Sequence, residues 1–355
     1  MGNAAIQNSS RQGEGEEIVV LGIESTAHTF GVGIVSNKPP YILADARANY
    51  KPEKGGILPR EVASFFSSNA AKVLRKALED AGLGIRDLDG IAVTLGPGMG
   101  PALRVGATVA RAIASRYGKP LIPVNHAVAH IEIARQVTGL RDPVVIYVAG
   151  GNTSILSFVD GRYRVFGETL DIALGNLLDT FAREAGIAPP YIVDGKHSID
   201  VCSEGGTYID GLPYIVKGQD VSYSGLLTAA LRMVGKGYKL SDVCFTLREI
   251  AFSSIIEVAE RCVAHTGKTQ LVLTGGVAAN RLLREKASIM ARSRGIEYGT
   301  VPPRLAGDNG VMIALTGLLA LSHGITIDIE KALVRQRWRV DKVDVPWYPK
   351  ILEDL

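Results

Sequence analysis

Apolar and polar positions along this chain follow two periods, and one short pattern occurs twice. "IVVLGIESTAHTFGVGIV", Ile18 to Val35, is an apolar run, a small polar turn and a second β-type run that stops near the "SNKPP" breaker. Such a pattern predicts a β-hairpin. "VVIYVAGGNTSILSFVDG", Val144 to Gly161, has the same form. Between them the periods predict a helix over Arg60–Gly82, a strand over Gly90–Gly98 and a helix from about Leu103 to Tyr117. A strand "PLIPVN" and a helix carrying two histidines follow. The second half predicts helices at Leu174–Gly186 and about Val243–His265, then a strand at Gln270–Gly276. A helix over "AANRLLREKASIMARSRG" and an apolar one within Gly307–Gly324 complete the pattern. Alternating strands and helices, headed twice by one hairpin, predict a duplicated α/β architecture with a mainly parallel or mixed sheet. Ligands in such folds bind where the strand-end turns converge.

Composition narrows the partners. A chain of 355 residues is too long for one ordinary core, so two lobes are expected. A net charge of only +3 excludes a strongly basic nucleic-acid binder, and any such contact must use a local patch. Cys202, Cys244 and Cys262 have no CxxC spacing, which argues against a disulfide framework or a cysteine-rich zinc site and fits a reducing compartment. No apolar run reaches the roughly 18 residues a membrane span needs. Met1 to Glu17 is polar, lacks an apolar signal-peptide core and reads as a flexible tail on a cytoplasmic protein.

Three glycine-bearing turns suit phosphate, because backbone N–H groups approach oxygen closely where no Cβ intervenes. They are "GIEST" (Gly22 to Thr26), "AGGNT" (Ala149 to Thr153) and "TGGVAAN" (Thr274 to Asn280), the last opening a helix whose dipole favours anions. Neither a Walker A sequence nor a Rossmann GxGxxG is present. "NHAVAHIEIA" puts His126 and His130 on one helical face. Periodicity alone does not separate a metal pair from two core histidines. Ala127 stands where a zincin HExxH would place its general base, so a water-activating protease lacks that group. In "GDNG", either Asp308 or Asn309 caps the following helix, or Asp308 reaches back to the histidines as an oxygen ligand. Asp171, Asp179 and Glu184 form a solvated helix face, or Asp179 bonds a ribose or a backbone group. "VRQRWRVDK" offers Arg335, Arg337, Arg339 and Lys342 to phosphates and Trp338 to a base, or is a solvated C-terminal strand or tail.

Taken in order, these motifs resemble one family. "GIEST", "GGI-PRE" (Gly55 to Glu61), "GPGM" before "LRVG", "NHxxxH", "YVAGGNT", "ETLDIALGNxxD", "VSYSGLLTA", "TGGVAAN" and "GDNG" occur in family order from about Ile18 to Trp347. The chain resembles the universal tRNA threonylcarbamoyladenosine transferase family, in its archaeal and eukaryotic branch, the catalytic subunit of the KEOPS complex. The resemblance implies an actin/hexokinase/heat-shock ATPase type of fold, two related α/β lobes with nucleotide between them. It implies a metal, iron with zinc as the alternative, held by His126, His130 and Asp308, with Tyr147 contributing in the archaeal branch. It also implies ATP, AMP or threonylcarbamoyl-AMP contacts from Tyr147, Val148, Ala149, Gly150 and Gly151, and from Asp179 and Asn280. No catalytic group is implied beyond the metal ligands.

Two stretches depart from the family pattern. "PPYIVDGKHSIDVCSEGG" replaces a Gly-Gly-Pro segment and its acidic residue, and the best correspondence puts Gly195 and Asp200 at the ribose-contacting positions. Phe65 and Phe66 stand where relatives usually carry histidine. The resemblance further implies tRNA as substrate, and partner subunits that include a small atypical protein kinase and a dimerising subunit. The organisation expected is a tail (1–17), an N-terminal lobe (18–142), a C-terminal lobe (143–305), a helix returning to the first lobe (306–330) and a C-terminal tail (331–355). The competing readings are a small-molecule kinase of the same fold, a metalloprotease and a non-catalytic scaffold that binds ATP or tRNA. The kinase reading leaves HxxxH and GDNG without a task.

Overall fold

The computed structural model describes residues 17–51 and 57–354; residues 1–16 of the expected tail and Gly55–Gly56 of the GGI-PRE motif lie outside the described residues. Strands β1 (Val19–Glu24), β2 (Thr29–Ser36), β3 (Ile42–Asn49), β4 (Gly90–Gly96) and β5 (Leu121–Asn125) form one sheet in the order β3-β2-β1-β4-β5. β1, β2 and β3 pair antiparallel, whereas β4 and β5 run parallel to β1. Helices α1 (Pro59–Ala81) and α2 (Gly100–Tyr117) pack on this sheet, and α3 (His126–Thr138) leaves the end of β5 directly.

The chain then repeats the plan. β6 (Val144–Val148), β7 (Thr153–Val159) and β8 (Arg162–Glu168) form an antiparallel meander. Helix α4 (Leu174–Glu184) is followed by the two-residue strands β9 (Ile192–Val193) and β10 (Lys196–His197) and by α5 (Ser198–Cys202). A second short hairpin, β11 (Val216–Lys217) and β12 (Asp220–Val221), leads into α6 (Ser224–Gly235) and α7 (Leu240–Thr266). β13 (Gln270–Thr274), α8 (Arg281–Arg294), β14 (Glu297–Thr300), α9 (Pro303–Ala306) and α10 (Gly310–Leu321) complete it. The second sheet runs β14-β13-β6-β7-β8, with β13 and β14 parallel to β6. Each sheet therefore has two antiparallel strands on one side of its leading strand and two parallel ones on the other. The hairpin repeat was legible in the sequence; β3, β8 and β14, which close the pattern, were not.

Alternation along β1 sets its packing. Leu21 and Ile23 join the core under α1 and α2, while Val20 and Gly22 face the other way, towards α10. Helix α10 is buried from Gly310 to Ala320, consistent with a segment apolar on all sides. It lies backbone to backbone on the hairpin: a Cβ on Gly22 would sit 2.1 Å from the Ala314 nitrogen, and one on Gly310 would sit 2.1 Å from the Gly33 nitrogen. This contact fixes the start of α10 relative to β1 and β2.

The cysteines depart from expectation. Cys202 on α5 and Cys244 on α7 form a disulfide, and only Cys262 is free. Spacing could not reveal this pair, because 42 residues separate them and the fold brings α5 against α7. The cysteine pattern therefore no longer argues for a reducing compartment. Closing a loop of this length contributes about 4 kcal/mol in the chain-entropy model. Adding reductant is thus expected to lower the melting temperature by several degrees, read by calorimetry with and without dithiothreitol; equal melting temperatures would mean the bridge carries no stability.

Residues after α10 are packed against the body of the protein. The Arg335 nitrogen donates to the Leu95 carbonyl at 2.6 Å, and the Trp338 carbonyl accepts from Asn125 Nδ2 at 3.0 Å. Further on, Tyr348 stacks on Phe158 with ring centroids 3.5 Å apart, and the buried Arg135 of α3 donates to the Pro349 carbonyl at 2.6 Å. Arg335, Arg337 and Arg339 keep exposed side chains on this docked backbone, with the Arg335 guanidinium over the Trp338 ring and Arg339 paired with Asp341. The solvated-strand reading of "VRQRWRVDK" is thus corrected: the segment is not a strand, and its main chain is held by the first sheet. No helix among the described residues is long and apolar enough to cross a membrane.

Candidate metal and nucleotide site

His126 and His130 occupy the first two turns of α3, whose start is fixed by Asn125: its side-chain oxygen accepts from the Ala127 and Val128 nitrogens. Both rings point out of the helix towards the loop before α10. There the two readings of GDNG are divided between neighbours. Asn309 caps α10, its Oδ1 accepting from the Met312 nitrogen at 2.9 Å, and Asp308 turns to the histidines. Asp308 Oδ1 lies 3.3 Å from His130 Nε2 and 3.6 Å from His126 Nε2. One donor atom from each of the three residues falls within 4.8 Å of the others. Tyr147 on β6 lies beneath them, its ring centroid 5.2 Å from that of His130.

This set is nearly closed to water, so its charges interact strongly. Burial opposes charge on His126, but the Glu24 and Asp308 carboxylates outweigh it and raise the pKa to about 9. Burial holds His130 below the ordinary histidine value, and the charge of His126 adds to that against the Asp308 hydrogen bond. Burial alone would raise Asp308; the His126 charge and the His130 hydrogen bond hold it well below the usual carboxylate range. Burial, then the Asp308 and Glu24 charges, push the Tyr147 phenol well above its ordinary value. Two imidazoles from α3 and a carboxylate from the loop before α10 fit a first-row divalent cation. His130 Nδ1 is buried without a hydrogen-bond partner, so its ring is held from the Nε2 side only.

A cleft of about 1330 Å³ opens between the β6–β7 turn, α4 and the start of α8. Gly150, Asp179, Gly195, Asp200 and Asn280 line it, and so does Gly276. Gly150 belongs to the β6–β7 turn, which is seated on α4 by the Asn176 nitrogen donating to the Gly150 carbonyl at 3.1 Å. A Cβ on Gly175 would sit 2.7 Å from the Ala149 carbonyl oxygen, so glycine is needed for that approach. Tyr147 and Val148 are instead buried in β6 behind the turn, and Gly151 follows Gly150 on its exposed side. Gly275 brings the TGG turn onto β6: its φ is +93°, and a Cβ would meet the Val148 oxygen at 2.3 Å. Asn280 caps α8 through the Leu283 nitrogen and donates from Nδ2 to Asp200 at 2.7 Å. Asp179 faces His197 Nε2 at 3.0 Å.

Sequence reasoning missed several members. Arg248 on α7 holds Asp200 at 3.0 Å, and nothing in its helical period marks it. His197 is a further cleft residue, at the end of β10. Glu24 ends the apolar run in GIEST, where the phosphate expectation rests on Gly22 and assigns the acid no role. Asp171, read as a candidate solvated residue, accepts from both serine hydroxyls, Ser222 and Ser224, and from the Tyr223 nitrogen, tying β8's exit to the start of α6. Those bonds hold its carboxyl well below the usual range against the opposing effect of burial. Phe66 is in the core, edge-on to Phe30, and Phe65 packs on Tyr50.

Residues 41–315 match the family model of tRNA N6-adenosine threonylcarbamoyltransferase. The chain belongs to this family. A tRNA N6-adenosine threonylcarbamoyltransferase of Aeropyrum pernix is 68% identical over 333 residues, covering 94% of this chain and 95% of the relative. One from Hyperthermus butylicus is 62% identical, over 94% and 92% of the two chains. These transferases are archaeal, which agrees with the archaeal-type resemblance of the motifs. Among solved structures, HypF of T. kodakarensis superposes with a TM-score of 0.58 at 17% identity, over 86% of this chain and 48% of that one. The activator of 2-hydroxyisocaproyl-CoA dehydratase from Clostridium difficile, with bound ADPNP, gives 0.51 at 14%, over 86% and 97%. At such identities the likeness concerns fold alone, and the fold of this threonylcarbamoyltransferase family member is the actin/hexokinase/heat-shock ATPase type.

Proposed function

We propose that this chain transfers the threonylcarbamoyl group of threonylcarbamoyl-AMP to the exocyclic amine of the adenosine 3′ of the anticodon, in tRNAs reading codons that begin with A. The observation that carries this reading is the convergence of His126, His130 and Asp308, in a member of this family that also has a cleft lined by Asp179, Asp200 and Asn280. A small-molecule kinase would use the cleft and leave the three-residue set idle.

The adenine amine is a weak nucleophile, its lone pair delocalised into the ring, so the acyl donor must arrive activated and held. In the transfer a bond forms from N6 to the carbamoyl carbon and the carbon–oxygen bond to phosphate breaks. AMP departs with the electron pair, and the amine proton passes to solvent. The cleft's part is positioning. Asp200, fixed from two sides by Arg248 and Asn280, and Asp179 present carboxylate oxygens to a ribose, while the exposed turn at Gly150–Gly151 offers backbone to the phosphate. His126, His130 and Asp308, with Tyr147 beneath, would hold the metal, for which we propose iron with zinc as the alternative. When bound, the metal supplies Lewis-acid polarisation of donor oxygens. On this reading the chain acts in the cytoplasm as the catalytic subunit of a KEOPS-type complex, with a small atypical kinase and a dimerising subunit as partners.

Mass-spectrometric nucleoside analysis tests the proposal: tRNA is incubated with this protein, threonylcarbamoyl-AMP and the candidate partner subunits. Threonylcarbamoyladenosine is the expected product; its absence with competent partners bound would remove the transferase reading. The cleft has a separate test. Asn280→Ala is expected to weaken AMP binding about 10–100-fold, the cost of a hydrogen-bonded pair with a charged member, measured by calorimetric titration. An unchanged Kd would take Asn280 out of the nucleotide site.

A further inference from the structure

One carboxylate near the metal set belongs to none of the roles above. Glu24, the last residue of β1, is fully buried, and a buried carboxylate needs compensation. It receives four donors. The Thr26 nitrogen and hydroxyl both reach Oε1, at 2.6 and 2.5 Å; the Thr94 hydroxyl reaches Oε2 at 2.8 Å; and His126 Nδ1 lies 3.1 Å from the same Oε2. Among the described residues no lysine or arginine pairs with it, and its one basic partner is the His126 imidazole. Glu24 approaches His126 on the Nδ1 side, whereas Asp308 lies on the Nε2 side.

We propose that Glu24 is a positioning residue for the metal site, fixing the ring angle and tautomer of His126. Its carboxylate accepts the Nδ1 proton, which leaves the Nε2 lone pair for the cation. Thr26 and Thr94 hold the carboxylate in turn. The Thr26 oxygen also lies 3.3 Å from Nδ1, but its proton is committed to Glu24, so it offers that nitrogen no competing donor. The device is asymmetric: His126 is gripped from both nitrogens, whereas His130 Nδ1 has no partner. A carboxylate behind a metal-bound imidazole fixes its orientation and raises its basicity. This assignment rests on the proposed ligand set His126, His130 and Asp308.

Zinc affinity, measured by chelator competition on the full chain, tests it without any tRNA reaction. Glu24→Ala is expected to weaken zinc binding about 10–100-fold, the usual effect of removing such a partner. Glu24→Gln keeps an acceptor oxygen at the same place and is expected to recover most of that loss. In the zinc-loaded wild type, the His126 Nδ1 proton should give a slowly exchanging imidazole NMR signal that disappears in Glu24→Ala. AMP affinity should stay at the wild-type value in both variants. Equal zinc affinity in wild type and Glu24→Ala would overturn the role of Glu24 alone. Loss of AMP binding together with zinc binding in Glu24→Ala would make it a residue of the fold, which also overturns the proposal. A wild type that takes up no zinc would overturn the ligand set and this role together, whatever the nucleoside analysis shows.

Discussion

Replacing His130 with alanine is expected to abolish threonylcarbamoyladenosine formation while leaving the nucleotide cleft working. His130 is fully buried, its Nε2 faces Asp308, and its backbone carbonyl accepts from the Thr274 hydroxyl at 2.8 Å. The substitution removes one of three converging donors and leaves the backbone link to β13 in place. Disturbing only the partner behind a ligand lowers metal affinity or activity about 10–100-fold, so deleting the ligand itself should exceed ~100-fold. Metal content, read by elemental analysis, should fall with activity. AMP affinity should hold, because Asp179 bonds His197, and Asp200 bonds Arg248 and Asn280, with none of them bonded to His130. His130→Gln, closer in volume, separates a lost ligand from a cavity. Full activity in a metal-free His130→Ala protein would remove the metal from the chemistry.

The second large effect is on stability. Gly310→Ala adds one methyl group where the Gly33 nitrogen lies 2.1 Å away and the Val32 carbonyl carbon 2.4 Å away. Both obstacles are backbone of a central strand, which no rotamer change relieves. Helix α10 must shift or β2 must bend, and overpacking of this kind costs about 1–3 kcal/mol and occasionally more. We expect a loss of about 3 kcal/mol in denaturant unfolding. Metal binding should weaken too, because Gly310 follows Asp308 and Asn309 directly. A stability within ~0.5 kcal/mol of wild type would mean that the helix–hairpin contact is looser than these distances imply.

The fold was largely legible because two hairpins with the same apolar–turn–apolar pattern stand 126 positions apart, at Ile18 and Val144. Helices α1 and α8, which have a clear period, and the long, largely buried α7 fall within a few residues of their predicted bounds. β3 was missed because "ILADARAN" mixes charge into a half-exposed edge strand, and α6 because its start depends on Asp171, some fifty residues earlier. At the site, His126 and His130 were visible as a pair, but only the fold brings Asp308 to them. Glu24 meets His126 and Thr94, and Arg248 meets Asp200, only through the fold, so the acid that ends β1 and the arginine of α7 carry no local mark of their role.

The seating of α10 on β1 and β2 bears on how the protein is made. The ribosome releases the hairpin first and the helix that covers its glycine face roughly 290 residues later. At ordinary elongation rates the uncovered face waits about 15–60 s. Until then Asp308 is also missing, so a nascent chain holds only two imidazoles of the proposed ligand set. Metal loading by the complete set, and the final burial of the first sheet, therefore become possible only after most of the polypeptide has been synthesised.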